Sequence, residues 1–133
     1  MIDAVAIDTD VLSYIFKGDT RADLYLPHLD GKLGVVSFMT VAELRHWTMV
    51  RNWGEMRRRS LEEFIGQYVI VHSDDSLCSV WARIATEAVR FGRPIETADA
   101  WIAAVAVVHN IPLITHNRSH FEGVDGLKVI SES

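Results

Sequence analysis

The sequence predicts an α/β fold: a three-layer α/β/α sandwich with a central, mainly parallel sheet of five strands. Short apolar segments alternate with longer segments of helical periodicity along the whole chain. No internal repeat, low-complexity segment or long linker divides it, so residues 1–133 are expected to form one domain. Because strand–helix–strand crossovers are right-handed, few topologies fit this order of elements.

The first part of the chain contains two of the predicted strands. Residues 2–8 form an apolar run that ends in an aspartate, which is typical of a parallel strand buried on both faces. Helical character follows over residues 10–17, and a second helix is predicted from a cap at Thr20 to about Leu29. An Asp-Gly turn then leads into the strand 33–37.

The middle of the chain is predicted to be mainly helical. Strong helix formers begin at Thr40, and Val41, Leu44 and Thr48 share one stripe of that helix. A break is expected at residues 52–54, and another helix is predicted over 55–65. Residues 68–72 then read as the third strand.

The last part of the chain repeats the alternation. A helix is predicted over residues 76–91, ended by the Gly-Arg-Pro sequence at 92–94. Thr97 is expected to cap the next helix, residues 98–109, whose many alanines predict burial. The remaining predicted strands cover residues 111–115 and 127–130.

Composition excludes several classes of protein. The net charge of −5 and the pI near 5.6 argue against a broadly basic nucleic-acid-coating protein, although arginines cluster at 57–59. That arginine run is interpreted as a solvated helix face. Neither a signal peptide nor a membrane-spanning run is recognised, and Cys78 is the single cysteine. We therefore expect a cytoplasmic protein without membrane attachment.

Acidic residues recur where predicted strands give way to helices. Asp8 ends the first strand, Glu43 lies early in the helix after the second, and Asp99 lies early in the alanine-rich helix. Acids at helix N-termini are favoured by the helix dipole alone, and that structural explanation remains open for Glu43 and Asp99. However, their flanking residues are apolar, and a partly desolvated carboxylate must be paired, neutral or metal-bound. A shared divalent cation would explain their convergence.

The end of the predicted strand 111–115 is expected to add further side chains to this metal site. The Thr115 hydroxyl is placed to orient a water or a carboxylate, and Asn117 offers a neutral oxygen ligand. Oxygen donors favour Mg²⁺ or Mn²⁺ over zinc, and His116 and His120 fit no zinc motif, so both are interpreted as surface or hydrogen-bonding histidines. Such a metal activates water for phosphoryl chemistry, with one ion or two left open.

Four segments together resemble the PIN domain, and most closely the VapC-type ribonuclease toxins of toxin–antitoxin pairs. They are residues 6–13, 37–44, 93–104 and 113–121. The resemblance implies a Mg²⁺- or Mn²⁺-dependent endoribonuclease that hydrolyses RNA phosphodiester bonds. It further implies a homodimer that is inhibited by a small VapB-like antitoxin, whose C-terminal segment enters the active-site groove.

Site residues carry over from the family motif by position. Asp8, Glu43 and Asp99 match the three core acids, which the resemblance implies to be metal ligands, and Asn117 falls where many members have a fourth acid. His120 stands where the family often has aspartate, so the fourth position has no charge. Asp10 and Glu96 are the residues able to compensate.

The same residues would also suit two other functions. In a haloacid-dehalogenase-like phosphatase, Asp8 would be the nucleophile and Asp10 the acid and base, with Lys128 as the required lysine. In a phospho-receiver module, Asp8 and Asp10 would bind a metal and Asp74 would accept the phosphoryl group. Both place Lys128 poorly. The phosphatase also needs a further acidic pair that the last third of the chain lacks, and the receiver module leaves Glu43 and Asp99 unexplained.

The tryptophans leave one further question open. Trp81 and Trp101 lie on apolar helical stripes and are expected in the core. Trp53, beside the arginine run, is expected to be exposed and available to RNA or to the antitoxin.

Overall fold

The computed structural model describes residues 3–133, and its core is one sheet of five parallel strands. The strand order is β3-β2-β1-β4-β5, so the first strand of the chain lies at the centre. Residue 2 of the predicted first strand lies outside the described residues. The predicted α/β/α class is confirmed. The strands are Ala4–Ile7 (β1), Leu33–Ser37 (β2), Val69–Val71 (β3), Leu113–Ile114 (β4) and Val129–Ile130 (β5).

Helices cover both faces of this sheet. Two short 3₁₀ turns, Thr20–Leu24 and Arg118–Phe121, complete the described secondary structure. The α-helices are Thr9–Lys17 (α1), Leu26–Leu29 (α2), Phe38–Val50 (α3), Glu55–Ile65 (α4), Asp75–Arg90 (α5) and Thr97–Val108 (α6).

Alternate strand residues pack into two cores on opposite faces. Val5, Ile7 and Ile114 face a core shared with α1, α3 and α4. Ala6 and Leu113 face the other core, which is filled by α5 and α6. Helix α6 has a buried central part, as its alanine content predicted: six of its twelve residues are buried, and four of these are alanines whose small side chains let the helix lie close to the sheet.

Several element boundaries differ from the prediction because other residues act as caps. The predicted helix from Thr20 to Leu29 is instead a 3₁₀ turn capped by Asp19, followed by the short α2. Helix α3 begins at Phe38, before Thr40, because the Ser37 hydroxyl accepts a 3.0 Å hydrogen bond from the Met39 amide. Thr97 is the first residue of α6 and not its cap, a position that Glu96 occupies.

The burial predicted for the tryptophans is confirmed only in part. Trp81 and Trp101 are half-buried and stack with ring centroids 5.3 Å apart, whereas Trp53 is half-buried on Phe16 and not fully exposed. Arg57, like its two neighbours in the arginine run, is exposed. Among residues 3–133, no helix has the length and apolar character needed to cross a membrane.

Candidate active site

The carboxyl ends of the central strands open into an acidic cleft of about 210 Å³. Asp8 directly follows β1, Glu43 lies in the second turn of α3, and Asp99 lies in the first turn of α6. The three acids that the sequence singled out therefore lie in one cleft. Its walls consist of Asp8, Thr9, Asp10, Glu43, Trp47, Glu96, Asp99, Asn117 and His120.

Asp8 is the most deeply placed of these carboxylates, with 5% of its surface exposed. It caps helix α1: Oδ1 accepts a 2.8 Å hydrogen bond from the Thr9 amide, and Oδ2 accepts one of 2.7 Å from the Thr115 hydroxyl. Burial, together with repulsion from Asp10, raises the pKa of Asp8 to about 8. Asp8 is thus a carboxyl group that holds a proton near neutral pH unless a cation is present.

Glu43 is oriented by a pair of threonines. The Thr9 hydroxyl lies 2.7 Å from Oε1 of Glu43 and 2.9 Å from the hydroxyl of Thr40. A hydroxyl has one proton, which Thr9 donates to Glu43, so the hydroxyl of Thr40 donates to that of Thr9. This contact connects α1 to α3 at the cleft wall.

Asp10 also faces the cleft, as one of the two residues expected to compensate for the uncharged fourth position. Its Oδ2 accepts hydrogen bonds from the His116 amide at 3.1 Å and from Nδ2 of Asn117 at 2.9 Å. Burial raises the pKa of Asp10. Asn117 was expected to offer an oxygen ligand, but here its amide nitrogen holds a carboxylate instead, because an acceptor-only carboxylate is its neighbour.

Asp99 and His120 form the opposite wall. Nδ1 of His120 lies 3.3 Å from Oδ2 of Asp99. Burial raises the pKa of Asp99, the nearby His120 opposes that rise, and Glu96 and Glu43 add to it. His120 therefore lies beside Asp99 at the position where the sequence lacks a fourth acid.

The donors of the cleft fit a divalent cation that keeps part of its water shell. Within residues 3–133, no three Asp, Glu, His or Cys side chains are already arranged around one ion. Asp8 and Glu43 are held by hydroxyl donors and Asp99 by His120. Mg²⁺ keeps several waters and needs only one or two carboxylates, so oxygen donors lining one cleft suit such an ion without a closed cage.

Sequence reasoning did not assign three residues to this region. Thr9 orients Glu43, and Trp47 forms part of the cleft wall. Trp47 follows Glu43 by four residues, a helical spacing from which its place on the same face was predictable. The third is buried Tyr25, whose hydroxyl contacts Nδ1 of His116. No local signal marks Tyr25.

The geometry does not favour the two alternative functions. Asp74 does not line the cleft; it caps α5, with Oδ1 accepting a 2.8 Å hydrogen bond from the Leu77 amide. Lys128 is exposed on the approach to β5 and also lies outside the cleft wall. Neither a receiver acceptor nor a phosphatase lysine is therefore in place.

Comparison with known proteins identifies the family of this chain. The family profile of the PIN domain matches residues 5–127. The Ribonuclease VapC1 of Methanocaldococcus jannaschii is 30% identical over 128 residues, covering 94% of this chain and 85% of the relative. The chain therefore belongs to the PIN domain family, and within it to the VapC ribonucleases.

Two solved structures extend the likeness to three dimensions. VapBC-1 from nontypeable Haemophilus influenzae superposes with a TM-score of 0.84 at 27% identity, over 98% of both chains. VapBC-5 from Mycobacterium tuberculosis, described as a member of the VapBC family of toxin–antitoxin systems, superposes with a TM-score of 0.69 at 25% identity. That match covers 96% of this chain and 98% of the other.

Proposed function

We propose that this protein is a metal-dependent endoribonuclease toxin that hydrolyses RNA phosphodiester bonds and is inhibited by a VapB-like antitoxin. The observation that carries the proposal is the convergence of Asp8, Glu43 and Asp99 from three separate segments on one cleft. Burial and repulsion from neighbouring carboxylates raise the pKa values of Asp8 and Asp99 there. A bound cation would relieve both effects.

In this proposal, Asp8, Glu43 and Asp99 hold Mg²⁺ or Mn²⁺, the hard cations that carboxylate oxygens favour. When bound, such an ion supplies a water of lowered pKa and neutralises charge on the phosphate. Asp10 adds a further carboxylate to the lining of the same cleft. Its presence offsets the lack of an acid at positions 117 and 120.

The chain's own hydroxyl and amide groups then act by orientation. Thr115 holds Oδ2 of Asp8 while the Thr9 amide holds Oδ1, and the Thr9 hydroxyl holds Oε1 of Glu43, so both carboxylates have a fixed orientation. Asn117 does the same for Asp10. Fixed orientation of acidic groups reduces the reorganisation needed when charge develops on the phosphate.

Assignment to a toxin–antitoxin pair also implies partners and a cellular location for this protein. A VapB-like antitoxin is the proposed inhibitor, because the VapBC structures resemble this chain over nearly its full length. Residues 1–133 as one domain and a homodimer both remain predictions. So does the cytoplasmic location, which suits an RNA substrate and the unpaired Cys78.

The test is an RNA-cleavage assay with the purified protein. Cleavage is expected with Mg²⁺ or Mn²⁺ and should stop with a chelator. Asp99→Asn should lower the rate by about a hundredfold or more, because the charge is removed while the shape is kept. Asp125→Asn, an exposed aspartate outside the cleft, is the matched control and should cut normally. Equal rates for Asp99→Asn and wild type would overturn the site, and metal-independent cleavage would overturn the mechanism.

A further inference from the structure

A line of side chains leads out of the acidic cleft along one face of α3. Glu43 and Trp47 both line the cleft and lie one turn apart, and Arg51 lies one turn further at the end of the helix. At a rise of 1.5 Å per residue, the backbone positions of Glu43 and Arg51 lie about 12 Å apart along the helix axis. Charge therefore changes from negative to positive along a single helix face.

Cations gather on the aromatic rings at the far end of this line. The Lys17 ammonium lies 5.3 Å from the centre of the Trp47 ring, and the Arg51 guanidinium lies 5.6 Å from it. Next to them, the Arg57 guanidinium lies 3.9 Å from the centre of the Trp53 ring. Lys17, Trp47, Arg51, Trp53 and Arg57 are called the basic-aromatic surface below.

The three cations of the basic-aromatic surface lack a carboxylate partner among residues 3–133. By contrast, neighbouring Arg45 and Arg59 on the same helices are paired with Glu62 and Glu55. Cation–π contacts hold the three cations in place without neutralising their charge. Desolvation lowers the pKa of Lys17, and repulsion from Arg51 and Arg57 lowers it further, so an anion between them would be stabilised.

We infer that the basic-aromatic surface binds the phosphate backbone of the RNA substrate beside the bond that is cut, an inference that rests on the proposed ribonuclease function. The chain carries a net charge of −5 and its cleft is acidic, so an RNA strand is repelled unless nearby cations hold it. This surface begins at Trp47, on the cleft wall itself. The rings position the cations, and the cations contact phosphates.

The test compares two triple variants that remove equal charge. One is Lys17→Gln, Arg51→Gln and Arg57→Gln. The control is Arg83→Gln, Arg90→Gln and Lys128→Gln, at exposed positions away from the basic-aromatic surface. Both are made with and without Asp8→Asn, so that binding is measured on uncut RNA. The probe is a short, fluorescently labelled single-stranded RNA of mixed sequence, titrated over a range of salt concentrations.

The surface variant should bind this RNA more weakly and with a shallower salt dependence. The slope of log K against log salt should fall by about 0.7 for each phosphate that the variant no longer neutralises, so by about two for the triple variant. With Asp8 intact, KM for RNA should rise while kcat is kept. The control variant should keep the wild-type slope and KM, and thermal unfolding confirms that both variants fold.

Three outcomes would overturn the inference. Equal slopes for the two triple variants would show that only net charge matters. Unchanged RNA binding with loss of co-purifying antitoxin would assign the surface to a protein partner. A rise in KM with the wild-type slope would exclude phosphate contacts. Absence of RNA cleavage by the wild-type protein is a separate result: it would reject the proposed function, while binding to the Asp8→Asn protein still reports on this surface.

Discussion

The hydroxyl of Thr115 donates a 2.7 Å hydrogen bond to Oδ2 of Asp8 and so joins the ends of the adjacent strands β4 and β1. Thr115 is fully buried, and its hydrogen bond opposes the rise that burial causes in the pKa of Asp8. The contact therefore tunes the acid that lies deepest in the cleft.

Replacing Thr115 by valine should raise the pKa of Asp8 further above about 8. A proton must then be displaced more often when a cation binds, so the apparent Mg²⁺ affinity at neutral pH should fall by about tenfold for each pKa unit. Calorimetric titration of Mg²⁺ measures this effect. Thr115→Ser keeps the hydroxyl and is the control; identical affinities for the two variants would contradict the tuning role.

Asp8 should make the metal-free protein less stable as pH rises. Its pKa is raised from the ordinary aspartate value of 3.8 to about 8, so the folded state binds more protons than the unfolded state. Its contribution to stability is fully present below about pH 4 and is lost as pH rises through about 8. Asp8→Asn should therefore gain stability relative to wild type between about pH 5 and about pH 9. Thermal unfolding without divalent ions measures the difference, and a constant gap across this range would refute the assignment.

Replacing His120 by aspartate should strengthen cation binding at the cost of stability in the absence of metal. Nδ1 of His120 lies 3.3 Å from Asp99, and the histidine opposes the rise in the pKa of that residue. An added carboxylate supplies another ligand but repels Asp99. We expect about tenfold tighter Mg²⁺ binding and about 1 kcal/mol lower stability without metal, compared with His120→Asn. Weaker Mg²⁺ binding by His120→Asp would show that position 120 cannot supply a metal ligand.

Gly34 should tolerate no side chain. A Cβ atom on Gly34 would lie 2.6 Å from Cδ1 of Tyr68, a ring that is packed in the core on one face of the sheet. Gly34→Ala should lower the free energy of unfolding by about 1–3 kcal/mol, since the strand and the ring must move apart. Urea unfolding measures it. Gly66→Ala is the control: Gly66 has an ordinary helical φ of −61°, a Cβ there would come no closer than 3.4 Å to other atoms, and the free energy of unfolding should not fall.

Much of the fold was predictable from the sequence because its elements are locally encoded. The strand 33–37 and the buried stripe of Val41, Leu44 and Thr48 follow from periodicity alone and are confirmed. Boundaries were less predictable where several residues compete to cap a helix. Thr97 looked like a cap, but the chain is already extended at Glu96, so the helix begins one residue earlier.

The sequence predicted which acidic residues belong to the site but not which side chains contact one another there. Asp8, Glu43 and Asp99 follow strands or open helices, and parallel strands bring such positions to one edge. Which donor holds which carboxylate depends on the packing of distant segments, and this is why Thr9 and Asn117 had roles that the sequence did not indicate. The half-burial of Trp53 likewise depends on Phe16, far away in the sequence.

The central place of β1 has a consequence for the timing of activity. Asp8 is made early, but its partner Thr115 and the neighbouring strand β4 come more than a hundred residues later. A growing polypeptide on the ribosome thus cannot assemble the acidic cleft until residues 113–117 have emerged. The acidic cleft therefore depends on a contact between segments far apart in the sequence, and it forms only once β4 has paired with β1.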